Sequence, residues 1–268
     1  MTEYTGLTVT RMDGVATIQM SMERKEGAGD GTQSHRSVVG RALNDLRFDN
    51  SIRVVVVTGE GDVFYASPPG RPRMENRDPA EDWDLTQGTQ FTFQTIIEME
   101  KPVIAKVNGR ASSFGASMIF ACDFIVAAED APFGDSHIGM GDGDLFPMGR
   151  ADNGTVPGDG SNAFVPLYLS PALAREYLWL ARQFTGADLA RMGIINAAVP
   201  RAELDAAVDR MAQALMRRPP YALALSKRAF NKFVADRFNQ TFDLAWSYEA
   251  LNFYQFGRYR APRGTETL

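Results

Sequence analysis

Two histidines are the residues of this chain best suited to acid–base chemistry near neutral pH. Only His35 and His137 occur among its 268 residues. A histidine held by a carboxylate is the simplest general base, because the carboxylate fixes the ring tautomer and stabilises the imidazolium. The carboxylates that follow the second histidine include Asp142, Asp144, Asp152 and Asp159. The sequence therefore predicts either that His137 works with one of these aspartates or that it is an ordinary loop residue.

A second candidate group lies where an apolar strand is predicted to turn into a helix. Residues 101–109 read Lys-Pro-Val-Ile-Ala-Lys-Val-Asn-Gly, and small residues then lead into the apolar segment 118–128. This pattern predicts a buried strand, a tight turn and the start of a buried helix. Amide groups at a helix start suit an oxygen that becomes negative during a reaction. The alternative is a corner that needs small residues only for packing.

Composition argues against several other kinds of function. The net charge of −5 offers no basic excess for nucleic acid. A single cysteine, Cys122, excludes an intrachain disulfide and a cysteine-based zinc site, and it is predicted to be a buried, inert thiol. No apolar run approaches the roughly 20 residues that span a bilayer, and no leader pattern opens the chain. We therefore expect a cytoplasmic protein with a small-molecule substrate, no metal and no membrane or nucleic-acid partner.

The elements that must position these residues alternate along the chain. Alternating runs at 7–11 and 15–20 flank Asp13-Gly14 and predict a hairpin. Ser34 is predicted to cap a helix, with His35 solvated or capping in its first turn. A β-branched run at 53–58 predicts a strand that is buried on both faces, and further helices are predicted at 82–100, 171–183 and 185–193.

The last third of the chain has a mostly helical pattern. Residues 194–199 are strand-like, and helical patterns then cover 201–217, 220–235 and 238–256. Strands that alternate with helices and are followed by a purely helical tail predict an α/β core with a helical extension.

Six short motifs extend over most of the chain. They are VVVVTG at 54–59, KPVIAKVNG at 101–109, ACDFIVAA at 121–128, APFG at 131–134, VPG at 156–158, and FTGADLARMG at 184–193 running into INAAVP at 195–200. In this order they resemble the crotonase superfamily, which includes the enoyl-CoA hydratases and isomerases. The resemblance implies a spiral of ββα units over 1–200 and a helical region over 201–268 that serves as a trimer contact or lid. It also implies a homotrimer or a dimer of trimers.

The resemblance further implies a reaction through an enolate oxyanion that two backbone amides hold. The second amide falls on Phe114 or Gly115. The first falls near Pro68, which has no N–H to donate, so that Ser67 or Gly70 would take its place, with Tyr65 as a neighbouring substrate-binding residue. The two glutamates of ordinary hydratases fall on Ser117 and His137, so hydration by paired glutamates is not expected.

Within the superfamily the chain resembles the oxocamphor hydrolase branch, whose members cleave a carbon–carbon bond of a cyclic β-diketone without CoA. The loop at 156–160 implies that Asp159 orients His137, across an insertion at 139–152. The segment YEAL at 248–251 implies a catalytic role for Glu249. The implied function is β-diketone hydrolysis in which His137 takes a proton from water, with no cofactor.

Two alternatives remain open at this stage. The chain could act on a CoA thioester as a hydratase, isomerase or hydrolase with a different acid–base set. The residues that could then meet the CoA phosphates are Arg24, Lys25, Arg71 and Arg73. It could also be a catalytically silent homologue that serves as a binding or assembly partner.

Overall fold

A six-stranded, mostly parallel sheet forms the centre of the fold. The computed structural model describes residues 4–21, 34–65, 79–111, 113–135, 137–138 and 154–252. In spatial order the strands are β1 (Leu7–Met12), β2 (Val15–Met20), β3 (Val54–Gly59), β5 (Val103–Val107), β7 (Phe124–Ala128) and β10 (Ala197–Val199). Neighbouring strands run parallel except in the β1–β2 hairpin.

The local chemistry of the sequence explains these strands. Asp13 and Gly14 both have positive φ, 49° and 80°, which a two-residue hairpin turn of type I′ requires. Every residue of β3 is buried, as its continuous β-branched run predicts for a strand covered on both faces. The predicted hairpin and the predicted buried strand are both confirmed.

Two small sheets lie beside the main one. In one, β4 (Val63–Tyr65) pairs in parallel with β6 (Arg110–Ala111); in the other, β8 (Pro132–Phe133) pairs antiparallel with β9 (Phe184–Thr185). Gly109 lets β5 pass closely into β6, since a Cβ at this position would collide with the backbone of Asp62. The Asn108 side chain stabilises the same corner. It accepts a hydrogen bond from the Gly59 amide and donates one to the Gly61 carbonyl.

Helices cover the sheet and complete the chain. They are α1 (His35–Phe48), α2 (Pro79–Glu98), α3 (Ser113–Ala121), α4 (Ser161–Tyr168), α5 (Pro171–Trp179), α6 (Gly186–Arg191), α7 (Leu204–Met216) and α8 (Pro220–Leu251). The Ser34 hydroxyl caps α1 by accepting the Ser37 amide, as the sequence predicted. Thr185 and Asp188 form a reciprocal capping box at the start of α6.

Three details differ from the sequence-based expectations. The apolar segment 118–128 is divided, because α3 ends at Ala121 and β7 begins at Phe124. Two predicted helices, 220–235 and 238–256, form the single helix α8 over its described length. His35 is buried rather than solvated, since α1 presents its first turn to the interior. The first difference arises because β7 pairs with β5 and β10 in the sheet. The second agrees with the sequence between 235 and 238, which contains no Gly or Pro to end a helix.

The sequence predicted no membrane-spanning segment. Within the part of the chain that the structure describes, no helix is long and apolar enough to cross a bilayer.

Substitution of Gly109 by Ala should destabilise the protein more strongly than most point changes. We expect a loss of more than about 3 kcal/mol in the free energy of unfolding, because backbone atoms of Asp62 occupy the space that the new methyl group needs. Urea denaturation followed by circular dichroism measures this loss.

Gly61→Ala is the matched control. Gly61 has a φ of +60°, but a Cβ at this position would meet no atom within 4 Å. Only backbone strain of about 1–2 kcal/mol is therefore expected. Equal losses in the two variants would contradict the steric explanation.

Candidate functional site

His137 lies between two carboxylates in the protein interior. Its Nδ1 is 2.9 Å from Asp135 Oδ1, and its Nε2 is 3.4 Å from Asp159 Oδ1. The three residues are only 2–3% exposed. The Asp159 partner was among those the sequence offered, and the structure brings it to the ring. The burial of His137 does not agree with a surface loop residue, whereas a buried position suits either a structural or a catalytic histidine.

Two serine hydroxyls contact the same carboxylates, one at Asp135 Oδ2 and the other at Asp159 Oδ1. Ser161 Oγ donates to Asp135 Oδ2 at 2.6 Å, and Ser117 Oγ contacts Asp159 Oδ1 at 3.1 Å. The two hydroxyl oxygens are 2.9 Å apart. Together with His137, these four residues form a closed ring of polar contacts, which we call the His137 ring.

Arg36 adds a second positive charge to the His137 ring. Its Nη2 is 3.6 Å from Asp159 Oδ2, and its Nη1 donates to Thr89 Oγ1 at 3.0 Å. The guanidinium also lies over the Phe114 ring, 4.8 Å from the centroid. Asp159 Oδ2 accepts no hydrogen bond from the described residues and is buried. It is therefore a carboxylate oxygen with capacity to accept a proton.

Four separate parts of the chain supply these residues. Arg36 comes from the first turn of α1, Ser117 from α3, and Asp159 and Ser161 from the turn into α4. Asp135 follows β8, and its Oδ1 also accepts the His137 backbone N–H at 2.9 Å in an Asx-type turn. The His137 carbonyl in turn accepts the backbone N–H of residue 155 at 2.8 Å, which ties this segment to the loop that carries Asp159.

Gly160 shapes the turn into α4. Its φ is +113°, a region that favours glycine, and a Cβ there would lie 2.8 Å from the Phe93 ring and 3.2 Å from Ser117 Cβ. The turn can therefore place Asp159 and Ser161 on either side of Ser117 only because residue 160 has no side chain.

The charges of the His137 ring determine its protonation. Burial by itself would lower the pKa of His137, but the negative charges of Asp159 and Asp135, with their hydrogen bonds, raise this pKa well above its ordinary 6.5. Burial would raise the pKa of Asp159, but the charge and hydrogen bond of His137, together with Arg36 and Ser117, lower it below its ordinary 3.8. At neutral pH the histidine is therefore an imidazolium between carboxylates.

The predicted oxyanion residues meet at one corner beside Arg36. The rings of Tyr65 and Phe114 are 5.1 Å apart, and a Cβ on Gly115 would collide with the Tyr65 side chain. Phe114 and Gly115 lie in the first turn of α3, where backbone amides have no partner within the helix. The structure therefore brings Tyr65, Phe114 and Gly115 together, whereas Ser67 and Gly70 lie outside the described residues.

Glu249 approaches the Asp159 loop from the end of α8. A Cβ on Gly158 would overlap the Glu249 carboxylate and approach the Ala245 carbonyl at 3.0 Å. The Glu249 side chain therefore lies against the residue that precedes Asp159.

Sequence reasoning missed three members of this site. Asp135 was not considered as a partner of His137, although the spacing Asp-Ser-His is a local signal for an Asx turn. Ser161 and Arg36 carry no such signal, because a serine after Gly-Asp-Gly and an arginine in a helix look like ordinary surface residues. Asp142, Asp144, Asp152 and the proposed insertion lie outside the described residues, as do Arg24, Lys25, Arg71 and Arg73.

Other reactive groups fit structural roles. Cys122 is buried, its Sγ donates to the Met118 carbonyl at 3.2 Å, and burial raises the pKa of its thiol. This agrees with the predicted inert thiol. Among the described residues, no group of three or more histidine, cysteine, aspartate or glutamate side chains is arranged to hold a metal ion.

The family is established by comparison with known proteins. The profile of the enoyl-CoA hydratase/isomerase family matches residues 11–258. A crotonyl-CoA hydratase of Syntrophomonas wolfei is 30% identical over 71% of this chain and 67% of its own length. A carnitinyl-CoA dehydratase of Salmonella typhi is 30% identical over 80% of this chain and 76% of its own length. The chain therefore belongs to this family and is an enzyme of the crotonase superfamily, which confirms the resemblance seen in the sequence.

Solved structures share the fold at lower sequence identity. An enoyl-CoA hydratase/isomerase from Mycobacterium paratuberculosis superposes with a TM-score of 0.78 at 22% identity, over 93% of this chain and 94% of the other. A β-diketone hydrolase from the cyanobacterium Anabaena, with (S)-3-oxocyclohexyl acetic acid bound, superposes with a TM-score of 0.75 at 23% identity, over 92% and 94%. Both confirm the crotonase-type α/β fold.

Loss of His137 should destabilise the protein in a pH-dependent manner. The folded-state pKa of His137 is raised above its ordinary 6.5, so the stabilisation by the imidazolium is present below that value and is lost as pH rises through the folded-state pKa. We expect His137→Asn to cost about 3–5 kcal/mol near pH 6, because two buried carboxylates lose their shared partner.

Urea denaturation of the wild type and of His137→Asn between about pH 6 and pH 10 tests this expectation. The difference in unfolding free energy should shrink towards the alkaline end. A difference that stays constant or grows with pH would show that His137 is neutral in the folded protein.

Proposed function

We propose that this enzyme hydrolyses a carbon–carbon bond of a β-diketone. The observation that carries the proposal is the buried contact between His137 and Asp159 at 3.4 Å. It lies where the family resemblance places one of the two catalytic glutamates of hydratases, and Ser117 occupies the position of the other. The β-diketone hydrolase of Anabaena has the same fold, which supports the proposal at the level of architecture.

Water attack requires a proton acceptor, and the pKa directions indicate which group serves. The raised pKa of His137 means that its ring already carries both protons near pH 7. The sequence-based assignment of proton abstraction to His137 is therefore revised in the proposal, and the accepting group becomes Asp159. Its Oδ2 accepts no hydrogen bond from the described residues. The lowered pKa of Asp159 makes it a weak base, so proton transfer would accompany attack on the carbonyl.

The proposed reaction balances without a cofactor. Water loses a proton to Asp159 while its oxygen bonds to one carbonyl carbon of the diketone. Collapse of the adduct breaks the bond to the central carbon, which gives a carboxylic acid and an enolate. The enolate oxygen would be held by the amides of Phe114 or Gly115, where positive helix-end charge suits it. The proton from water then returns to the enolate carbon, and Glu249 at the loop of Asp159 would assist this last transfer.

A second candidate is chemistry on a CoA thioester. The specific observation in its favour is that the two relatives described above are a crotonyl-CoA hydratase and a carnitinyl-CoA dehydratase. In this case Asp159 would take the role of the acid–base residue, and the enolate of the thioester would use the same amides of α3. CoA would be a part of the substrate, as the sequence-based alternative expected.

The β-diketone proposal is tested by product analysis in isotopically labelled water. The wild type should open a cyclic 1,3-diketone and place oxygen-18 from water into the new carboxylate. Asp159→Asn and His137→Asn should each lower kcat by at least about 100-fold, as expected for loss of acid–base catalysis. Asp188→Asn is the matched control, because Asp188 is a half-buried capping residue of α6 and contributes nothing to the His137 ring, and its turnover should be unchanged.

The same panel should include crotonyl-CoA. Turnover of the thioester without diketone opening would replace the first proposal by the second. Inactivity of the wild type towards both substrate classes would favour the catalytically silent homologue.

We also propose that α8, in the helical region that the sequence predicts at 201–268, packs against further copies of the chain in a trimer or dimer of trimers. Large apolar side chains on α8 are exposed in the single chain, with Tyr221 at 81%, Phe230 at 72% and Phe233 at 62%. The last two also line a groove between α8 and β7. Light scattering should give the mass of a trimer or hexamer.

Replacement of Phe230 and Phe233 by Asp should lower that mass, because a charge would then be buried in the contact. Phe48→Asp is the control, since Phe48 is 70% exposed on α1. A monomeric wild type would contradict the assembly.

A further inference from the structure

The His137 ring contains fewer protons than polar contacts. Its five contacts join His137 to Asp135, Asp135 to Ser161, Ser161 to Ser117, Ser117 to Asp159, and Asp159 back to His137. Each contact needs one proton to be a hydrogen bond. An imidazolium supplies two protons and the two hydroxyls supply one each. With both aspartates ionised, one contact in the ring has no proton.

The distances and donor capacities restrict the contact without a proton to one of the two that Ser117 makes. The Ser161 hydroxyl donates to Asp135 at 2.6 Å, the shortest contact of the ring. The Ser117 hydroxyl can donate either to Asp159 at 3.1 Å or to Ser161 at 2.9 Å, but not to both. One further proton on Asp159 would complete the ring, because Asp159 could then donate to Ser117 and Ser117 to Ser161.

Neither serine hydroxyl makes the hydrogen bond to the backbone of its own helix that serines often make. Ser161 is the first residue of α4, yet the cap of this helix at Gly160 has no side-chain hydrogen bond. Ser117 lies inside α3, where serine commonly bonds to the carbonyl four residues earlier; here its hydrogen-bond partners are Asp159 and Ser161. Both serines are fully buried, at 0% exposure. Their hydroxyl groups therefore contact the two carboxylates and each other.

We infer that Ser117 and Ser161 form a proton relay between Asp159 and Asp135. A proton that Asp159 accepts on Oδ2 is brought to Ser117 when the carboxyl group rotates and its two oxygens exchange places. It is then passed to Ser117 Oγ while the proton of Ser117 moves to Ser161 Oγ and that of Ser161 moves to Asp135 Oδ2. Each oxygen breaks one O–H bond as it forms another, so both hydroxyls are regenerated and the net change is transfer of one proton between carboxylates. The reverse transfer returns the proton to Asp159.

The relay gives the proposed hydrolysis a place to hold a proton. Between attack of water and protonation of the enolate, the proton would reside on Asp135, away from the reacting carbonyl. Asp159 would meanwhile remain ionised beside Arg36, its partner at 3.6 Å. This inference rests on the proposed role of Asp159 as proton acceptor, and it adds two positioning residues to that role.

Kinetics of Ser117→Ala, Ser161→Ala and the double variant test the relay. Because either substitution breaks the same path, each should lower kcat about 10–100-fold, and the double variant should be no slower than the slower single variant. In mixtures of light and heavy water, a plot of the wild-type rate against the deuterium fraction should be curved, as expected when several protons move in one step. The dependence should become linear in the variants. Thr58→Val, which removes a buried hydroxyl in β3, should leave both rate and curvature unchanged.

A measurement that needs no substrate separates this inference from the proposed function. Nitrogen-15 NMR resolves Nδ1 and Nε2 of His137. Through the relay, Ser161→Ala should shift the signal of Nε2, which faces Asp159, as well as that of Nδ1, which faces Asp135. A shift confined to Nδ1 would overturn the relay, as would losses of kcat that multiply in the double variant. If the wild type turns over no diketone or thioester, the proposed function fails, and the NMR result alone decides on the relay.

Discussion

Four ionisable side chains are buried at this site, and each is compatible with burial only because the others are present. Moving a single carboxylate, imidazolium or guanidinium out of water costs several kcal/mol. Asp135, Asp159, His137 and Arg36 meet within 2.9–3.6 Å contacts, so two negative and two positive charges cancel. The structure must therefore hold α1, the segment after β8 and the turn into α4 in fixed relation. Displacement of any one of them would leave an unpaired charge in the interior.

This constraint also affects the chemistry that the fold can perform. The first turn of α3 carries backbone amides that suit an enolate oxygen. In the proposed reaction the proton-handling groups are two carboxylates, an imidazolium and two hydroxyls in one ring, in place of the glutamate pair that the family resemblance implies for hydratases. Such a ring keeps its net charge low while a proton moves within it, and this matters in a buried site where charge is weakly screened.

The helix α3 connects the two halves of the site. Its first turn contributes Phe114 and Gly115 to the corner with Tyr65, and one turn later it contributes Ser117 to the His137 ring. The Phe114 ring contacts the guanidinium of Arg36 and the rings of Tyr65 and Phe93. The proposed enolate amides and the proposed proton-handling residues are therefore positioned by the packing around one buried ring. Small errors in its position would affect both functions together.

Short-range patterns in the sequence determined most of the secondary structure and the family. The Asp13-Gly14 turn, the Ser34 cap and the β-branched run of β3 depend on local backbone preferences and periodic burial, and these can be inferred from neighbouring residues. The order of short motifs was also sufficient to predict a crotonase. Patterns alone did not predict the division of 118–128 between α3 and β7, because β7 is formed by pairing with the distant strands β5 and β10.

The composition of the site was decided by tertiary structure. The sequence offered His137 with several possible carboxylates, and one of them, Asp159, is in contact with its ring. Asp135, Ser161 and Arg36 became recognisable as site residues only once the chain was folded, because their partners can lie far away in the sequence. Arg36 and Asp159, for example, are 123 positions apart. The protonation of His137 likewise depends on burial and on charges from distant segments. Local sequence can specify which residue types are available, but the electrostatic energy that assigns their roles exists only when the fold brings them within a few ångströms of one another.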